Sequence, residues 1–236
     1  MSLPGRRFAW LCVGVVTVLA CVQVLIFVTP VPGVQWAVPI AATLILVLAR
    51  ATGLSWADLG LARRSLGTGL RYAAVIIGAV AVVTAVGVAV PWTRDLFHND
   101  AYRDVHAALV SALVLIPIHT ILAEEVIFRG VLLGALRRIC SPRTALILQA
   151  GLFGLWHVGS SMGLSAHNQG LGDIVGSGPL ATFAGVALAV VVTGGAGILL
   201  GWLRIRSGSL LAPIALHWSV NGLGAIAAAI AWQLPG

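Results

Sequence analysis

Seven stretches of this chain contain no Asp, Glu, Lys or Arg and are long enough, or nearly so, to cross a bilayer. They are residues 8–29, 34–49, 72–90, 105–123, 144–159, 179–203 and 208–232. A helical span needs about 20 apolar residues, because lipid offers the backbone no outside hydrogen-bond partner. The runs are continuous rather than alternating, which fits helices and not the strands of a membrane barrel. Only 9% of the residues are charged and 59% are hydrophobic, whereas a soluble domain carries about 25% charged residues. The expected fold is all-α: a polytopic transmembrane helical bundle of about seven to eight spans. It reads as a single integral membrane domain over residues 1–236.

The formal net charge is +7, and all 14 basic residues are arginines. So basic a chain invites a nucleic-acid reading, but the arginines are placed as a membrane protein places them. Arg6 and Arg7 precede the first stretch. Arg50, Arg63, Arg64 and Arg71 lie between the second and third, Arg137, Arg138 and Arg143 between the fourth and fifth, and Arg204 and Arg206 between the sixth and seventh. The connections between these carry little or no net positive charge. By the positive-inside rule, the arginine-rich connections and the N-terminus are expected in the cytoplasm, with the chain multi-pass in the cell membrane. A signal peptide ending near Val18-Leu19-Ala20-Cys21 is the alternative for the first stretch, but the run is long and lacks a clean small-residue site. Cys12 and Cys21 would sit about 13 Å apart on one helix, too far for a bridge. Ser160–Pro179 reads as a polar outer loop.

Ionisable groups inside a bilayer are costly and ask for a reason. The only two glutamates are neighbours, Glu124 and Glu125, at the end of an apolar run. On a helix Glu125 and Arg129 are four apart and share a face, so they can neutralise each other. Glu124 points about 100° away and has no local partner. His157 closes the run Phe153-Gly154-Leu155-Trp156-His157, and His217 lies four residues before Asn221, on the same helical face. Counted along helices from the nearest arginines, Glu124, His157 and His217 lie about 20, 21 and 17 Å deep. A lone intramembrane His or Asn often does no more than bond a neighbouring helix. Glu124, His157, His217 and Asn221 together predict a common polar pocket. His119 is expected to pack between helices, and His98, His106 and His167 to lie in or near outer connections. The stretch 105–138 is too long for one straight span, and Pro117 is expected to kink it. Gly130/Gly134 and Gly197/Gly201 have the spacing of close helix packing.

These residues fall into three motifs, Glu124-Glu125-x-x-x-Arg129, Phe153-x-x-x-His157 and His217-x-x-x-Asn221. In that order, inside hydrophobic helices, they resemble the CPBP family of intramembrane proteases. That family includes the type II CAAX prenyl endopeptidases and bacterial bacteriocin-processing and immunity-associated proteins. The resemblance covers about residues 120–225, within a motif-bearing core of about 105–232. It implies an intramembrane glutamic endopeptidase in which Glu124 and His157 activate a water. His217 and Asn221 would stabilise the oxyanion, and Glu125 and Arg129 would hold the helix in place. The implied partners are a peptide or membrane-protein substrate and the lipid bilayer, with no nucleic acid and no cofactor.

Two other readings stand beside this one. Glu124, His157 and His217 are also the residue types of a three-ligand zinc site with an open water position, as in a membrane metalloprotease. A non-catalytic immunity or scaffold protein is the other, tested by replacing Glu124 or His217.

Overall fold

The computed structural model describes residues 3–29, 32–161 and 179–234. Among them there is no strand, and seven principal helices follow in order. These are α1 (Leu3–Val28), α2 (Ala37–Ala51), α3 (Leu66–Ala89), α4 (Val105–Leu136), α5 (Pro142–Trp156), α6 (Pro179–Ser207) and α7 (Leu211–Gln233). All but α5 belong to helical stretches long and apolar enough to cross a membrane, α2 together with the turn before it as Val34–Ala51. The fold is thus an all-α polytopic bundle. At 15 residues α5 spans about 22 Å, short of a bilayer core of about 30 Å. A turn at His157 interrupts it before a last helical piece, Val158–Ser161. The polar connection expected over 160–179 lies largely outside the described residues, as does His167.

Burial runs as lipid demands. In α3 only Gly69 and Val88 are buried, while Val75, Val82 and Val83 are more than 60% exposed. Water would not tolerate so continuous an apolar face, but acyl chains match it. The packed core lies instead between α1, α2, the second half of α4 and α5. From Ile127 to Leu136 every residue of α4 is buried. The site glutamates therefore sit where the bundle is densest.

α4 begins at Asp104, whose carboxylate caps the helix by accepting from the Ala107 N–H at 2.7 Å. It passes Pro117 by widening: residues 111–121 and 125–132 are π-wound, and the Leu122 N–H reaches back five residues to the Pro117 carbonyl. α7 widens in the same way over Ser219–Leu223. Such widened turns are uncommon and concentrate at functional sites. Here they flank Glu124 and enclose Asn221.

One end of the bundle is tied by the connection between α2 and α3. The backbone carbonyls of Ala57 and Asp58 accept from Arg204 of α6, at 3.1 and 2.8 Å. The Asp58 carboxylate takes two bonds from Arg138, just past α4, at 2.6 and 3.2 Å. The Gly60 carbonyl accepts from the Leu210 N–H at the start of α7. Gly60 holds a φ of +75°, and a side chain there would collide with the Arg204 guanidinium. A Cβ at Gly134 would lie 2.8 Å from the Asp58 carbonyl oxygen, so this small residue makes room for the connection rather than for another helix. Gly197 does serve helix packing, as its spacing predicts: a Cβ there would meet Ala150 of α5 at 3.0 Å.

The opposite end is closed by residues 91–103, three short helical turns. His98 is not simply solvated: its ring lies 4.4 Å from that of Trp232, which Arg103 covers from 4.5 Å. The Trp232 indole donates to the Asn99 carbonyl at 3.2 Å. This connection is a fastened roof.

Candidate active site

Helix α4 supplies two buried carboxylates that face different partners. Glu125 and Arg129 are wholly buried, and the Arg129 Nη1 donates to Glu125 Oε1 at 3.0 Å. The same Oε1 accepts from His217 Nδ1 of α7 at 2.9 Å. Glu125 therefore neutralises its own helix's arginine and also aims the imidazole of another helix. The Arg129 guanidinium lies 3.8 Å from the centroid of the Phe153 ring, a cation–π contact that helps a charge persist away from water.

Glu124 is 5% exposed. Its Oε1 accepts from the Trp156 indole N–H of α5 at 2.9 Å. Its Oε2 is buried without a hydrogen bond among the described residues, and His217 Nε2 stands 4.0 Å from it. That is too long for a direct hydrogen bond and leaves both atoms directed at the same small space. With Nδ1 donating to Glu125, the remaining ring nitrogen of His217 is the one presented to Glu124.

His157 ends α5 at the turn that interrupts the helix, and its side chain folds back on the last turn. Its Nδ1 lies 2.8 Å from the Phe153 carbonyl. A carbonyl only accepts, so Nδ1 carries the proton and the neutral ring has its lone pair on Nε2. Phe153 organises the whole group. Its ring meets those of His157, His217 and Phe128 edge-on at 4.6, 6.2 and 5.1 Å. The four-residue interval of Phe153-x-x-x-His157 thus has a physical reason: one residue supplies the carbonyl that sets the histidine's tautomer and the ring that packs it.

The site is reached by two cavities. Glu124 and His157 line the first, of about 670 Å³, together with Thr120, Trp156 and Gln23, Val24, Ile26 and Phe27 of α1. Asn221 lines the second, of about 570 Å³, under the 91–103 roof. Thr120 borders both spaces, so the two cavities adjoin there. His119 packs away from the site, edge-on to Trp36 at 4.3 Å.

These buried groups, in this chain order, occupy the region where the chain resembles known proteins. The family model described as Type II CAAX prenyl endopeptidase Rce1-like matches residues 106–223, half of the chain. The chain belongs to this family. No curated protein and no solved structure matches it. The Rce1-like region holds Glu124, Glu125, Arg129, His157, His217 and Asn221, and stops short of α1. Membership together with six membrane-length helices makes the chain an integral membrane protease, a hydrolase acting on peptide or protein substrates in the bilayer.

Three residues around the Rce1-like motifs make contacts at the site that spacing alone did not reveal: Trp156, Thr120 and Gln23. Trp156 is one of eight tryptophans, most easily read as interfacial anchors. Gln23 donates to the Trp156 carbonyl from α1, a long-range contact with no local signal. Among the described residues no three His, Cys, Asp or Glu side chains are grouped as metal ligands.

Proposed function

We propose that the chain is one integral membrane domain in the cell membrane, with a cytoplasmic N-terminus, acting as an intramembrane endopeptidase. Its core, about residues 105–232, hydrolyses a peptide bond without a cofactor. Glu124 and His157 take a proton from a water whose oxygen attacks the substrate carbonyl carbon. The carbonyl oxygen becomes an oxyanion stabilised by Asn221 and by His217, which donates from Nε2 as the doubly protonated ring while Nδ1 donates to Glu125. The C–N bond then breaks as the proton passes to the leaving amine. Glu125 and Arg129 do not touch substrate; they hold α4 and aim His217. The observation that carries this reading is the unbonded, buried Oε2 of Glu124, facing the His217 ring at 4.0 Å while its carboxylate shares a cavity with His157. Fixed donors at a developing oxyanion are worth about 3–4 kcal/mol each.

The substrate class that this reading admits is a peptide precursor, a membrane-protein segment or a CAAX tail. Comparing the membrane proteomes of cells carrying the wild-type chain and Glu124→Gln tests it. Uncleaved precursors accumulate only with the variant. A phenotype that survives both Glu124→Ala and His217→Ala at normal protein level would show that the chain acts by binding instead.

A further inference from the structure

The two cavities that meet at Thr120 differ in chemistry. The first is walled by Val24, Ile26, Phe27, Leu155 and Val158, with Glu124 and His157 at its inner side. The second presents His98, Asn99 and Tyr102 from the roof and Asn221 from α7. One space suits apolar side chains and the other a hydrated, polar stretch of chain. Their positions along the bundle are equally informative. The second cavity lies under residues 96–102, and the roof there is pinned to the C-terminal end of α7 through Trp232. The connection that carries Asp58 and engages Arg138 and Arg204 closes the other end.

We propose that these cavities are two halves of one substrate site, and that the polypeptide enters it from the end opposite the arginines. This rests on the protease reading above. Polar residues of the substrate lie under the roof against Asn221, apolar residues lie between α1 and α5, and the bond to be cut crosses Thr120. Water for hydrolysis arrives by the same polar cavity. Because the arginine-rich end is the cytoplasmic one by the positive-inside rule, the substrate is presented from the exterior. It is a segment of an exported or membrane-inserted polypeptide, polar at the membrane surface and apolar within, rather than a tail offered from the cytoplasm.

The test is chemical access, independent of cleavage. A Cβ added at Gly224, which lines the polar cavity, meets nothing within 4 Å, so Gly224→Cys fits without displacing a neighbour. Leu61 is exposed in the connection at the arginine end. Each cysteine is placed in a chain whose Cys12, Cys21 and Cys140 are alanine, and treated with a membrane-impermeant sulfonated maleimide. Gly224→Cys gains the label in intact spheroplasts, and Leu61→Cys gains it only in inverted vesicles. Labelling of Gly224→Cys in inverted vesicles alone, or in neither preparation, overturns the proposal. That outcome leaves the protease reading intact. Conversely, a Glu124→Gln proteome with no accumulated precursor removes the protease reading without moving the label.

Discussion

The indole of Trp156 donates to the Glu124 carboxylate at 2.9 Å, so the residue directly before the His157 of α5 holds the acid of α4. One short sequence, Trp156-His157, thereby places two groups of the site. Gln23 of α1 bonds the Trp156 carbonyl and continues the chain of contacts beyond the family's matched region.

Trp156→Phe keeps the ring and removes the donor. A hydrogen bond to a charged group contributes about 1.5–3 kcal/mol, so kcat/KM falls roughly ten- to a hundredfold. The melting temperature in detergent falls by no more than a few degrees, because Glu124 Oε1 loses its donor while the packing against Phe128 remains. An unchanged rate would show that Glu124 needs no orienting partner.

The two neighbouring acids separate by phenotype. Glu124→Gln abolishes cleavage and leaves the detergent-extracted protein as stable as the wild type. Glu125→Gln abolishes cleavage and also lowers the melting temperature, because Arg129 and the His217 Nδ1 lose a shared acceptor in the core. Breaking a buried ion pair from one side costs about 3–5 kcal/mol. Equal melting curves for the two variants would contradict the division of labour.

Activity of the purified protein persists in excess chelator. Loss of activity that added zinc restores would turn Glu124 and the two histidines into ligands, with His217 binding through Nε2 while Nδ1 stays on Glu125.

The tie at the arginine end has its own pH dependence. Burial opposes ionisation of Asp58, but bonds from Arg138 and Ser55 outweigh it and hold the carboxyl below its ordinary value. A lowered folded-state value means that the pair stabilises the fold above the unfolded carboxyl pKa of about 3.9, and that this is lost as pH falls through the folded value. Stability from this pair is therefore flat between pH 5 and 8. Arg138 is 47% exposed on its side chain, so Asp58→Asn costs no more than about 1 kcal/mol, read as a small melting shift at pH 7 that vanishes in strong acid.

Much of this molecule was legible before its fold was known. Uncharged runs located the helices, because lipid leaves so few alternatives, and the isolated polar residues marked the helices that meet at Phe153. The pairing of Glu125 with Arg129 followed from helical spacing and is present at 3.0 Å. What spacing missed was set by distant contacts: the Glu125–His217 bond joins residues 92 apart in sequence. Trp156 was hidden because its chemistry depends on which helix lies opposite.

The tie formed by Asp58, Ala57 and Gly60 grips the neighbourhood of α4, α6 and α7 at one end only. The heights of Glu124 and His217 are therefore both measured from a single leaflet. A bilayer made thicker or thinner shifts the far boundary of the lipid relative to the roof and its cavity mouth, while the register between acid and imidazole stays put. Lipid composition is thus positioned to govern how readily a substrate arrives, and to leave the bond-breaking geometry alone.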